Sequence, residues 1–247
     1  MKIAIPARYA STRFPGKPLT PIAGKPMIER VWRQATAAVE SADDVYIATD
    51  DHRIADAVKA FGGQCVMSRP DHENGSERLA ELVDLLGLDD ADVVVNVQGD
   101  EPLIDPALIR LVGEALSENP AAALSTAADV ITDPTDFTSP DIVKVVCDKF
   151  GFAHYFSRAP IPFVRDASDK VEPLRHIGIY AYRAQTLRSL KVAEPAPTEQ
   201  LEKLEQLRAL WHGMKIHVSL YDGPRSIGVD IPDDVWKVEA VLAEQGQ

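Results

Sequence analysis

Residues 3–18 read IAIPARYASTRFPGKP, and the character of the chain changes halfway along this stretch. Ile3, Ala4, Ile5 and Pro6 form the end of a buried strand, and a loop carrying Arg8, Arg13 and Lys17 among small residues follows at once. In an open α/β sheet, ligands bind in the crevice beyond the carboxyl ends of the strands. Three cations at such an edge predict a polyanion such as a triphosphate, with Gly16 giving backbone freedom and Ser11 and Thr12 adding donors. The plain alternative is a surface loop whose charges only solvate it. Spacing excludes two familiar phosphate loops: Gly16-Lys17 and Gly24-Lys25 are each followed by proline, and no trio of closely spaced glycines follows the strand. Phosphate would be held largely by side chains.

Moving outward, 26–39 places Met27, Ile28, Val31, Trp32 and Ala35 at helical spacing, with Pro26 suited to the first turn. A strand at 44–50, a helix over 51–63 ending at glycine, and a strand QCVM at 64–67 come next. Strand and helix alternate, which predicts right-handed crossovers and an α/β fold with a mostly parallel, twisted sheet flanked by helices. A loop over 68–75 leads to a helix capped by Asn74 or Ser76. Arg78 falls in its first turn, against the helix dipole, so it either pairs with Glu73 or Glu77 or meets an anionic or carbonyl partner.

The run DVVVNV at 92–97 reads as a central strand ending in Gln98, Gly99, Asp100 and Glu101. Asp100 there can meet the basic loop, and carboxylate is the natural ligand for Mg²⁺. The competing role of helix cap suits Asp105, directly before Pro106, better. Further on, 123–131 and 141–148 read as strands around a turn-rich TDPTDFTSP. Arg158 in GFAHYFSRAPIPF either stacks among aromatics and prolines or binds a carboxylate bidentately. The charged stretch 164–175 reads as a surface loop. Within 175–183, His176, Gly178, Tyr180 and Tyr182 alternate with Ile177, Ile179 and Ala181, a strand whose polar face suits a polyhydroxylated ligand.

One helix is predicted over 198–211, packing Leu201, Leu204, Leu207 and Leu210, with Glu205 and Gln206 beside that face. From pattern alone those two residues could simply be solvated. A strand over 214–222 and a proline-started helix within 228–242 complete the chain, with Asp230 just before the helix and Asp233 and Asp234 as helix-start charges.

The 247 residues, 45% hydrophobic and 26% charged, fit one large domain of ordinary globular composition. A net charge of −12 argues against nucleic-acid binding. It does not exclude an anionic substrate, because salt screens the overall field within about 8 Å while a cation about 4 Å from a phosphate contributes a few kcal/mol. Cys65 and Cys147, distant and in apolar runs, predict buried free thiols. No signal-like start and no apolar run near the ~20 residues of a membrane span is found, so a soluble cytoplasmic protein is expected.

IPARYASTRFPGKPL and IAGKPMIERV resemble the opening of the sugar-acid cytidylyltransferases, in particular those acting on 3-deoxy-D-manno-octulosonate (Kdo). The likeness continues through VQGDEPLI (97–104), YFSRAPIPF (155–163), RHIGIYAYR (175–183), LEQLRALWHG (204–213) and GVDIPDD (228–234). NGSER at 74–78 departs from the commoner SGTER, a change expected to affect packing more than chemistry. The resemblance implies a Rossmann-like nucleotidyltransferase fold in a single domain over 1–247, with a smaller sugar-binding and dimerisation region near 132–190. It implies transfer of CMP from CTP to the anomeric hydroxyl of Kdo, with Mg²⁺ as cofactor, release of pyrophosphate, a place in lipopolysaccharide biosynthesis, and a homodimer. It further implies catalytic Arg13, Lys17 and Asp100, and metal ligands Asp100 and Asp230. The implied nucleotide set is Pro6, Ala7, Arg8, Arg13, Lys17, Gly75, Ser76, Arg78 and Gln98, and the implied sugar set is Arg158, His176, Tyr180, Tyr182, Glu205 and Gln206. Rival readings are another sugar acid, such as sialic acid or the 8-amino Kdo analogue, a nucleotide-sugar glycosyltransferase, and a non-catalytic nucleotide-binding regulator.

Overall fold

A computed structural model of the chain describes residues 1–10, 14–72, 75–166 and 172–246. Its strands are β1 (Lys2–Ala7), β2 (Pro21–Ile22), β3 (Lys25–Pro26), β4 (Val45–Thr49), β5 (Gln64–Met67), β6 (Val93–Asn96), β7 (Leu124–Val130), β8 (Lys144–Cys147), β9 (Ala153–Ser157), β10 (Leu174–Arg183) and β11 (Ile216–Leu220). The helices are α1 (Met27–Thr36), α2 (His52–Ala60), α3 (Gly75–Leu85), α4 (Pro106–Glu118), α5 (Pro134–Thr138), α6 (Ala184–Val192), α7 (Pro197–Glu202), α8 (Gln206–Trp211) and α9 (Asp234–Glu244).

The main sheet has the order β11-β7-β10-β6-β1-β4-β5. β1 pairs in parallel with β4 on one side and β6 on the other, as the strand-helix alternation predicts. Along this path only β10 runs the other way, antiparallel to both β6 and β7. The β8–β9 hairpin extends the same sheet from the first residues of β10, so the 132–190 region is continuous with it.

Alternation along β1 explains the two cores. Ile3 and Ile5 face the layer that holds Ile28, Val31, Ile54 and Val112 from α1, α2 and α4. Ala4 faces the opposite layer, with Leu79 and Leu82 of α3, Leu187 of α6 and Leu207 of α8. Each fully buried Leu, Ile or Val contributes about 1.5–3 kcal/mol, so both faces are well anchored. Trp32 packs against Phe61 at 5.1 Å as a core residue. Cys65 and Cys147 are free and half-buried, and burial pushes the Cys147 thiol up to about 11.

Several local expectations change. Pro26 caps α1 from outside its first turn, and Ser76 lies inside α3 rather than capping it. The other expected cap, Asn74, lies outside the described residues. The turn-rich 132–140 stretch contains α5, started by Pro134 and capped by Asp133, whose carboxylate accepts from the Thr135 amide. Asp105 caps α4 as expected, accepting from the Ala107 amide at 2.8 Å. The helix expected over 198–211 is two helices, broken at Lys203 with φ 55°. Leucines spaced by three drift about 60° per step around a 3.6-residue helix, so one helix could not bury all four. The break leaves Leu201 83% exposed while Leu204 and Leu207 are buried.

Candidate active site

The site begins where β1 ends. The Gly16 amide donates to the Tyr9 carbonyl at 2.9 Å, closing the basic loop before a tight turn at Lys17–Leu19. Gly16 has φ 72°, and a Cβ there would press on the Tyr9 ring at 3.2 Å. Arg53 covers that ring, its guanidinium carbon 3.3 Å from the centroid. The neighbouring strand β6 delivers Gln98, Gly99 and Asp100 to the same edge. A Cβ on Gly99 would lie 2.7 Å from the Pro6 carbonyl oxygen, so only glycine lets the two strand ends approach this closely.

Lys17 joins three distant segments. Its Nζ donates to Asp100 Oδ2 at 2.7 Å and to the Val229 carbonyl at 2.8 Å. The Val229 amide in turn donates to the Asp100 carbonyl at 2.9 Å, which brings the segment carrying Asp230 against the turn after β6. Glu101 registers the result: burial pushes its carboxyl up from the ordinary range, and the charges of Asp100 and Asp230 add to the shift. Ser226 Oγ donates to Glu101 Oε2 and opposes it.

Asp100 and Asp230 are hard oxygen donors, the kind Mg²⁺ takes together with substrate phosphates and water. Among the described residues no group of three or more His, Cys, Asp or Glu forms a ready cation cage. Mg²⁺ usually takes one or two carboxylates and fills its remaining positions with substrate phosphates and water, so the donor chemistry of Asp100 and Asp230 fits it.

Of the expected nucleotide residues, Arg8 donates through Nη2 to the His72 carbonyl, and Arg13 lies outside the described residues. Gly75 opens α3 beside Pro6, and Ala7 closes β1. Arg78 does not use Glu77. It is fully buried, donates to Ser68 Oγ and lies 3.3 Å from Asp50, which ties α3 to the ends of β4 and β5. Burial pulls its guanidinium below the usual range, with Asp50 opposing. Glu73, the alternative partner, lies outside the described residues.

Two cavities flank β10. A narrow one of about 80 Å³ is lined by Ser76, Gln98, Tyr180, Tyr182, Glu205 and Gln206 among others, bringing together residues expected for nucleotide and sugar. Ser76 Oγ donates to Glu205 Oε2 at 3.1 Å across it. Burial raises both tyrosine pKa values, so the phenols remain protonated donors at neutral pH. The larger cavity, about 280 Å³, is lined by Gln98, Glu101, Arg175, His176 and Arg225, among others.

His176 is therefore separated from the tyrosine cavity. Its ring contacts Phe156 at 5.0 Å and Tyr180 at 5.4 Å, and burial pulls its pKa down to about 3. Thr126 Oγ1 has one proton, which goes to the Ile179 carbonyl at 2.7 Å, so His176 Nε2 donates to Thr126 at 2.9 Å. Arg158 lines neither cavity: its Nε donates to the Glu202 carbonyl and Nη1 to the Pro140 carbonyl. These contacts tie the β8–β9 hairpin to α7.

Sequence reasoning missed Asp50, Ser226 and the influence of Glu101. Glu101 was the legible one, adjacent to Asp100 and ahead of a proline. Asp50 and Ser226 gain meaning only from the fold.

A mixed α/β sheet with Lys17 bonded to Asp100 at the carboxyl edge of its parallel strands, and the Asp230 segment brought against that turn, defines a nucleotidyltransferase-like protein. A family model described as Cytidylyltransferase matches residues 3–216, and the chain belongs to that family. It is 52% identical over 247 residues to the 3-deoxy-manno-octulosonate cytidylyltransferase of Vibrio vulnificus, covering 98% of this chain and 97% of that protein. It is 51% identical over 251 residues to the Vibrio cholerae protein of the same name, covering 99% and 98%. Among solved structures, CMP:2-keto-3-deoxy-manno-octonic acid synthetase complexed with CTP matches with TM-score 0.89 and 40% identity, over 99% of this chain and 98% of that one. A cytidylyltransferase from Leptospira borgpetersenii, 16% identical with TM-score 0.64 over 98% and 86%, shares the fold.

Proposed function

We propose that this chain transfers CMP from CTP to the anomeric hydroxyl of Kdo. The hydroxyl oxygen bonds to the α-phosphorus of CTP, the bond from that phosphorus to the bridging oxygen breaks, pyrophosphate leaves, and the hydroxyl proton passes to solvent. The observation that carries this is the junction of Lys17, Asp100 and the Asp230 segment at the carboxyl end of β1 and β6. The names of relatives about half identical over nearly the whole chain, and the CTP-bound structural neighbour, support the choice of substrates.

Mg²⁺ would be held by Asp100 and Asp230, and when bound would supply neutralisation of the triphosphate charge. Lys17, with Arg8 and Arg13, binds the triphosphate and stabilises the departing charge. Pro6, Ala7, Gly75, Ser76 and Gln98 frame the nucleotide. Tyr180, Tyr182, Glu205 and Gln206 orient the sugar hydroxyls. His176, neutral and half-buried, supports Tyr180 rather than moving a proton. Arg158 would have to leave two backbone carbonyls to bind the sugar carboxylate.

No helix among the described residues is long and apolar enough to cross a membrane. CTP as donor supports a cytoplasmic reaction. A homodimer would use the region near 150–163, where Phe150 and Phe163 are exposed. The reaction is tested by omitting one substrate at a time while following pyrophosphate. Release requiring CTP and Kdo together is expected, whereas equal release with sialic acid or the 8-amino analogue would move the selectivity, and release without any sugar acid would remove the transfer reading.

A further inference from the structure

We propose that Asn96 determines sugar specificity by hydrogen bonding a hydroxyl of the sugar acid inside the narrow cavity, an inference that rests on the transfer reaction proposed above. Asn96 ends β6 and is paired on both sides, to Ala4 of β1 and Tyr180 of β10. Its neighbours Val93, Val94, Val95 and Val97 are buried valines, and asparagine is disfavoured in such a strand. The side chain is only 4% exposed, yet its Oδ1 is buried with no hydrogen-bond partner. Buried polar groups are normally paired, and an unpaired one destabilises the fold.

What makes the cost intelligible is where Asn96 sits. It lines the cavity that also holds Tyr180, Tyr182, Glu205 and Gln206. Gln206, 9% exposed, has a second orphan in the same lining: its Nε2 is buried without a partner. One lining thus presents an unmet acceptor from the sheet and an unmet donor from α8. A hydroxyl group both donates and accepts, so a polyhydroxylated chain satisfies both at once. The match does not depend on which way either amide is turned, because each end of an amide can bond a hydroxyl. The company of Tyr180, Tyr182, Glu205 and Gln206 in the lining assigns Asn96 to the sugar acid, and separate KM values for Kdo and CTP distinguish this from a ribose hydroxyl of the nucleotide.

Such a residue should trade stability for recognition. Asn96→Val completes the valine run and removes the buried orphan, so the ligand-free protein should melt at the same temperature or higher. The same change should raise the KM for Kdo roughly tenfold, the loss of about one neutral hydrogen bond, while the KM for CTP stays within about twofold. Asn96→Ala provides the same readout if valine overfills the site. A series of mono-deoxy Kdo analogues then supplies the cycle: for one of them, wild type and variant should have equal KM, because the hydroxyl that Asn96 binds is already gone. A variant that loses stability with its Kdo KM unchanged would make Asn96 a structural residue and overturn the inference, as would equal weakening toward CTP. Active wild type with an indifferent variant defeats this inference alone. Wild type that fails to turn over Kdo with CTP defeats the functional reading and this inference with it.

Discussion

Lys17 carries the site at the scale of single residues, because one ammonium neutralises Asp100 and holds the Val229 carbonyl. Its ion pair is partly open to water, with side chains 16% and 35% exposed, so it contributes only about 1 kcal/mol to stability. The role proposed for it toward a leaving pyrophosphate would be worth more. Lys17→Ala should lower the single-turnover rate about a hundredfold or more while shifting denaturation little, and near-normal turnover in a folded variant would remove Lys17 from the mechanism. His176 gives a residue-scale prediction of another kind. Its folded pKa of about 3 lies below the unfolded 6.5, so the unfolded chain binds the extra proton in between. The stability that neutral His176 contributes is complete above pH 6.5 and is lost as pH falls toward 3. Its slope can reach about 1.4 kcal/mol per pH unit. Denaturant titrations of wild type and His176→Gln should converge as pH falls through that window, and parallel curves would place the imidazole in water.

Among elements, the turn after β6 matters most, since Gly99 rests against the Pro6 carbonyl and aims Asp100 at Lys17. Gly99→Ala forces backbone against backbone and should cost about 1–3 kcal/mol, with turnover falling more than stability explains. Unchanged melting and activity would show that the turn has room. The strand that feeds this turn was legible in DVVVNV, and so was the strand of His176, Tyr180 and Tyr182. A period of two marks a strand without giving its direction, so nothing in RHIGIYAYR announced that β10 runs against its neighbours. The helix pair α7–α8 was misread for a related reason. Leucines at three-residue steps look helical locally, and only the left-handed Lys203 separates them into two helices.

Across the whole molecule, the sheet brings residues from the two ends of the chain into one centre. Lys17, Asp100 and the Asp230 segment meet because β1 and β6 are adjacent and the chain returns past β11 to cover their carboxyl ends. The expectation that a shared cation joins Asp100 to Asp230 across the sequence came from ligand chemistry and family likeness, since no local pattern links them. Partners set by tertiary contact stayed hidden: Arg78 chose Asp50 over Glu77, and Arg158 chose carbonyls over the cavity. All these contacts bear on the proposal that one bond breaks at the α-phosphorus of CTP. The direct measurement follows CTP labelled at its α-phosphate through a single turnover with Kdo. The label should move to a cytidylyl-sugar product, with unlabelled pyrophosphate formed in equal amount and only when Kdo is present. Label recovered in free CMP irrespective of Kdo, or β,γ-bond cleavage giving orthophosphate, would contradict it.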